Sequence, residues 1–186
     1  MTTKIAPLLT TEDLIALPDD DNTYELIEGE LIVSRTPTLT HQRILINLAT
    51  AIKNYLERNP IGEVFPTPGV IFDKYNSVIP DLVFLTNEQL ARVGAESHIH
   101  LAPALAVEIV SPGRENARRD RVVKLQVYGK FGVGEYWVAD PESRTLEIYR
   151  PAEVALGLAT TLGDGSEITT PALSGFRCEV GKVFGE

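Results

Sequence analysis

Ala104-Leu-Ala-Val-Glu108-Ile-Val110, followed after Ser111-Pro112-Gly113 by Arg114-Glu-Asn-Ala-Arg-Arg-Asp120-Arg-Val-Val-Lys124, is the stretch on which the fold turns. The first run is short and rich in branched apolar residues, as expected of a strand covered on both faces, yet it carries one acid. The second leads into a helical pattern over Ala117 to Phe131, in which Val123, Val127 and Phe131 form an apolar stripe. Asp120 and Lys124 fall inside that stripe, whereas Arg118, Arg119 and Arg121 lie off its centre. As a surface pair at i, i+4, Asp120 and Lys124 would contribute only a few tenths of a kcal/mol. So weak a gain does not explain two charges on a buried face.

Upstream, Ile79 to Leu85 is a second buried-strand pattern, again interrupted by one carboxylate, Asp81. Alternation puts Asp81 on the side of Val83 and Leu85, and Glu108 on the side of Ala106 and Val110. An unpaired carboxylate on an apolar face costs several kcal/mol as an order of magnitude, so each must be paired, hydrated or bound to a cation. Either acid taken alone is explained more readily by a strand end that reaches water. Together with Lys124 they describe a hard-cation site with an ammonium beside it, suited to Mg²⁺ or Mn²⁺ and to phosphate.

Further out, Thr11 to Leu17 reads as a short helix, and Tyr24 to Ile27 with Glu30 to Val33 as a hairpin turning at Glu28-Gly29. His41 to Arg58 has helical spacing of Ile44, Leu45, Leu48, Ile52, Tyr55 and Leu56, stopped by Pro60 and Gly62. Glu63 to Phe72 is extended but carries Pro66 and Pro68, which places it at an edge or bulge. Glu135 to Ala139 and Thr145 to Arg150 read as strands about the Asp140-Pro141 turn, with strand and loop continuing to Phe184. The pattern is an α/β fold with central order α-β-β-β-α-β-β and an N-terminal hairpin.

The 186 residues suit a single domain spanning 1–186, and 44% hydrophobic with 23% charged residues is an ordinary globular composition. Cys178 is the only cysteine, so no internal disulfide is possible and nothing suggests a thiolate zinc site. The N-terminal sequence has no signal-peptide core and no run approaches a membrane span, so a cytoplasmic protein without a membrane partner is expected. A net charge of -9 opposes nonspecific attraction to a polyanion, and any nucleic-acid contact must be local. The candidate surface is Arg114 to Lys124, where five cationic side chains outnumber two acids; a solvated helix face is the competing reading.

Ile79-Pro80-Asp81, Ala106-Val107-Glu108-Ile109-Val110 and Lys124 resemble the PD-(D/E)XK nuclease superfamily. More narrowly, Tyr24 to Glu30, Pro80-Asp81, Glu108-Ile109-Val110-Ser111-Pro112, Asp120 to Tyr128 and Gly134-Glu135-Tyr136-Trp137 resemble the Uma-two family of restriction endonucleases, over about Thr11 to Phe184. That resemblance implies a restriction-endonuclease-like core, a mixed central sheet flanked by helices, with Asp81, Glu108 and the Ile109 carbonyl as ligands of Mg²⁺ or Mn²⁺. Val110 stands where the motif lysine belongs, and Lys124 is the displaced lysine. Tyr128 resembles a tyrosine on the same helix in such nucleases. Glu30 and His41 match acidic and histidine positions of the narrower family and could face the metal from the N-terminal hairpin and first helix, Glu30 as a supporting catalytic acid; a histidine at a helix start is more often a capping or packing residue. Tyr136 and Trp137 are expected in the core.

The implied activity is metal-dependent endonucleolytic hydrolysis of DNA, by a chain that could act as a homodimer. An inactive binding or regulatory module of the same fold is the alternative, favoured by the acidic charge and by Val110. A third reading, a structural homodimer without a site, requires Asp81 and Glu108 to point apart.

Overall fold

Glu28 and Gly29 reverse the chain in left-handed conformations, at φ 52° and 79°. Two such residues give the turn whose twist matches a two-residue hairpin. The protein is described by a computed structural model over residues 7–18, 20–34 and 36–185; residues 1–6, part of the N-terminal signal reading, lie outside it. Helix α1 (Thr11–Ile15) precedes hairpin strands β1 (Thr23–Ile27) and β2 (Glu30–Ser34), and α2 (Leu39–Arg58) follows. Next come β3 (Gly62–Pro66), β4 (Val70–Asp73), β5 (Asn76–Val78), β6 (Leu82–Thr86), α3 (Asn87–Val93) and β7 (Leu105–Ile109). One continuous helical run then comprises α4 (Arg114–Arg118), a π-helical turn (Arg119–Lys124) and α5 (Leu125–Phe131). The chain closes with β8 (Tyr136–Asp140), β9 (Thr145–Pro151), β10 (Leu156–Gly163), β11 (Glu167–Thr170), β12 (Leu173–Glu179) and α6 (Val180–Phe184).

Six strands form the central sheet in the order β10-β9-β8-β7-β6-β3. β7 and β8 are parallel, joined by the helical run, while the other neighbours are antiparallel. The sheet is therefore mixed, and its chain order through α2 and the helical run follows the expected α-β-β-β-α-β-β. A second sheet, β2-β1-β5-β4, carries the hairpin, and β11-β12 form a third. β3 pairs only with β6 among the described strands, so Pro66 falls on an edge, where its missing N–H costs no ladder bond.

The central sheet is buried on both sides. Ile44, Leu48 and Ile52 of α2 pack with Phe84, Leu105, Val107 and Trp137 in one core cluster. Val83, Leu85, Ala106, Val110, Val127, Tyr128 and Tyr136 make the other. Successive residues of β6 and β7 thus serve opposite cores, as alternation along a strand requires. Tyr136 and Trp137 are core aromatics, as expected.

Three features differ from the sequence reading. β6 begins at Leu82, so Ile79, Pro80 and Asp81 form a lead-in to the strand, where Pro80 supplies no N–H to a ladder. α3 was not expected, although Thr86 and Gln89 form a reciprocal capping box at its start. The β4–β5 hairpin turns without glycine: Asp73 accepts hydrogen bonds from the Tyr75 backbone N–H and Asn76 Nδ2, which closes the turn through a side chain.

Candidate active site

Asp81 immediately precedes β6, an inner strand of the central sheet, and its Oδ2 accepts the Ile109 backbone N–H at 2.7 Å. The same oxygen lies 3.1 Å from His41 Nε2. Thr38 fixes that histidine's place by capping α2, its hydroxyl accepting the His41 backbone N–H. Oδ2 is therefore held from two elements. Asp81 Oδ1 accepts no hydrogen bond from a described residue.

Glu108 occupies the penultimate position of β7, a strand in which all five residues are buried. Its Oε1 accepts hydrogen bonds from Lys124 Nζ at 2.9 Å and Tyr128 Oη at 2.6 Å. Lys124 Nζ also stands 2.9 Å from Glu25 Oε1, which accepts the Ile79 backbone N–H as well. The π-helical turn delivers Asp120 and Lys124 together to the buried side, each only 2% exposed. Such turns insert an extra residue in a helix and are frequent at functional sites. Asp120 Oδ1 is buried without a hydrogen bond, and Arg119 Nε is 3.5 Å from it. Tyr136 Oη donates to the Asp120 carbonyl and ties the turn to β8.

These groups line one cleft of about 400 Å³ containing Glu25, His41, Asp81, Glu108, Asp120 and Lys124. Four carboxylates crowd around one ammonium. Burial pushes the Glu108 carboxyl well above the usual carboxylate range; Lys124 pulls it back, while Asp81, Asp120 and Glu25 push it up again. Burial likewise raises Asp120 against the pull of Lys124 and Arg119. Desolvation works against the charge on Lys124, but Glu108, Glu25 and Asp120 outweigh it, and the ammonium holds its proton more tightly than an ordinary lysine. Lys124, with Arg119 on the Asp120 side, sets two positive charges against four carboxyl groups, so the cleft retains an appetite for positive charge.

Among the described residues no three His, Cys, Asp or Glu side chains form a ready-made metal cage. Mg²⁺ does not need one, since it keeps several waters and binds through one or two carboxylates. Asp81 Oδ1 and Glu108 Oε2, neither engaged by a described donor, fit that lighter requirement.

Residues 11–181 match the Uma2 family, described as "Putative restriction endonuclease". The chain belongs to the Uma2 family. No curated protein matches it. Its fold is similar to a crystal structure from Anabaena variabilis titled a "putative nuclease belonging to DUF820", with a TM-score of 0.75 and 20% identity, covering 95% of this chain and 97% of that one.

In this Uma2 chain the expected residues are placed unequally. Asp81, Glu108, Ile109 and Lys124 reach the same cleft, and His41, read first as a cap or packing residue and second as facing the site, sits against Asp81. Glu30 does not join them. It is exposed at the start of β2, opposite Ile27, and the hairpin's acid in the cleft is Glu25. Glu25 and Asp120 were the residues that the sequence reading left out of the site. Only Asp120 had left a signal, through its place in the helix stripe.

The arginine surface is also narrower than its sequence suggests. Arg121 is committed to Asp140 and Glu147, at 2.7 and 2.9 Å, and Lys124 points inward. Arg114 and Arg118 are exposed, without a salt bridge to a described residue. Among the described residues no helix is long and apolar enough to cross a membrane.

Proposed function

We propose that this chain is a Mg²⁺- or Mn²⁺-dependent endonuclease that hydrolyses phosphodiester bonds in DNA. The observation that carries the reading is the convergence of Asp81, Glu108 and Lys124, from three separate elements, on one acid-rich cleft. Asp81 Oδ1, Glu108 Oε2 and the Ile109 carbonyl would hold the cation. A bound divalent ion supplies a more acidic water and stabilises the oxygen that leaves.

The protein's own groups account for the rest. His41 and the Ile109 N–H hold Asp81 in one orientation, so that its outer oxygen meets a ligand without first being ordered. Lys124, kept charged by Glu25 and Glu108, places a fixed ammonium beside the reacting phosphate, where it can orient water or offset developing charge. Tyr128 fixes the Glu108 oxygen that faces Lys124. Val110, at the position of the motif lysine, packs into the apolar core and leaves that task to Lys124.

Plasmid cleavage with Mg²⁺ or Mn²⁺, comparing the native chain with Asp81→Ala, tests the reading. Cleavage by the native protein that disappears in the variant supports it. No cleavage, or equal cleavage by both proteins, favours the inactive module.

A further inference from the structure

A sheet that does not close on itself leaves a row of unpaired N–H and C=O groups along each edge. Proteins blunt such edges with short strands, charge, proline or a covering segment. The edges of this chain are guarded unequally. β3 carries Glu63 and Pro66 and lies against α2, where Lys53 Nζ stands 3.9 Å from Glu63. The outer side of β4 is closed by the backbone of Ile99, which bonds to Gly69 and Ile71. β2 is short and opens with exposed Glu30, and β11 and β12 carry Glu167, Arg177 and Glu179.

β10, at the far end of the central sheet, lacks charge, proline and cover alike. With eight residues it is the longest of the described strands, and the run from Val154 to Gly163 contains no charged residue and no proline. Leu156 seats the strand in the core that holds Val127 and Tyr128, and Leu162 packs against the opposite core, so the edge is held ready-formed. Beyond β9, no backbone N–H or C=O of residues 156–162 meets a partner among the described residues. Leu158, Ala159 and Thr161 are exposed along the strand, Leu158 at 57%, and Val154 in the turn before it at 95%.

Charge selects what can lie against this edge. A chain of net charge -9 repels its own copies, and two of them come together most easily where neither presents an acid. β10 is such a place. Glu153 and Asp164 bound the uncharged run, and Asp164 is already paired with Arg144 at 2.7 Å. An antiparallel strand is also its own complement, since a twofold axis sets its N–H and C=O row against the same row of an identical strand. An axis near the middle of β10 brings the exposed Leu158 side chains of both copies together and takes apolar surface out of water.

We propose that two copies of this chain pair through β10, antiparallel across a twofold axis, and extend the central sheet to twice its width. The bulge between Leu158 and Thr160 raises the local twist and keeps the paired run short. The contact therefore falls at the low end of specific interfaces, below about 1,200 Å² in total, with a Kd of about 10–100 µM. No residue that lines the acid cleft lies on β10, so pairing leaves the cleft open.

Sedimentation equilibrium of the native chain from about 5 to 500 µM tests this, because mass action carries the average mass from near one chain toward two across that range. Leu158→Lys and Thr161→Lys each put a charge on an exposed position of β10 and should hold the mass at one chain throughout, with an unchanged circular dichroism spectrum. Ile46→Lys, at a position of α2 that is 61% exposed, should dimerise like the native chain. In the native chain, hydrogen exchange of amides within residues 156–162 should slow at least about threefold between the two concentration limits.

A single-chain mass at every concentration overturns the proposal, and so does exchange in β10 that ignores concentration. A folded lysine variant of β10 that still dimerises overturns it as well. Loss of the dimer in Ile46→Lys moves the interface to α2, with the same result. Should the β10 variants unfold, exchange in the native chain decides: slowing centred on β10 supports the pairing, and slowing elsewhere overturns it. DNA cleavage enters none of these measurements, so the nuclease reading stands or falls separately.

Discussion

Replacing Lys124 by Met keeps the apolar stem and removes the ammonium, which in the native chain lies 2.9 Å from both Glu25 and Glu108. Breaking a buried ion pair from one side typically costs about 3–5 kcal/mol, because the remaining charge stays buried without compensation. With a urea m-value of about 2 kcal/mol/M, that loss would move the unfolding midpoint down by about 1.5–2.5 M. The cost should depend on pH. Lys124 titrates above its unfolded value, so its stabilising charge is fully present below that value and is lost only in strong alkali. Glu108 behaves oppositely to a stabilised acid: its folded pKa is raised, so its penalty is absent below the unfolded pKa and grows as pH rises through the folded one. Without Lys124 that pKa rises further. The midpoint shift should therefore be larger at pH 8 than at pH 5, and adding Glu108→Gln to the variant should recover much of it. Equal shifts at the two pH values, or no recovery in the double variant, would show that Lys124 and Glu108 are not energetically coupled. Under the proposed mechanism, Lys124→Met should also abolish cleavage while the protein remains folded at pH 5 to 6; cleavage at the native rate refutes the displaced-lysine role.

Tyr128→Phe removes the 2.6 Å bond to Glu108 and should cost about 1.5–3 kcal/mol, the range for a hydrogen bond to a charged partner. Calorimetry should show a lower Tm, and an unchanged Tm would argue against that bond. Glu25→Gln should depress cleavage more than tenfold, whereas Glu30→Gln, at an exposed hairpin position, should change stability by less than about 0.5 kcal/mol and leave cleavage unaltered. If Glu30→Gln is the damaging change, the assignment of Glu25 to the site is wrong. Because Glu108 is raised by burial, metal capture should release protons and strengthen from pH 6 to pH 8. Titration calorimetry in two buffers of different ionisation heat reads this directly, and a buffer-independent heat would contradict it.

The sequence displayed the central acids because each breaks an apolar strand, and it displayed Lys124 because a charge in a helix stripe has no cheap explanation. It could not distinguish Glu25 from Glu30. In β1, Glu25, Leu26 and Ile27 are buried in succession, since the hairpin sheet is covered where it meets the central layer. Alternation is silent in such a strand, so the choice between two acids on neighbouring strands had no periodic signal. The capping box Thr86-Asn87-Glu88-Gln89 was legible for α3, but the helix is short and has no buried residue to supply an apolar rhythm. The turn between β4 and β5 was hidden for another reason: Asp73 closes it with its carboxylate, in a place where glycine would have announced it. His41 passed for a cap because its partner, Asp81, is 40 residues away and only the folded chain brings the two together.

The π-helical turn between Arg118 and Leu125 works as an expansion joint within one rod. Its i to i+5 hydrogen bonds take about one more residue per turn than an α-helix, so an extra residue is absorbed there without turning one flank relative to the other. Upstream lies exposed Arg114; downstream lie Val127 and Tyr128, seated in the core. Deleting exposed Val122 would close the turn to α-helical pitch, leave Val127 and Tyr128 in their seats, and shorten the spacing between Asp120 and Lys124 from four residues to three.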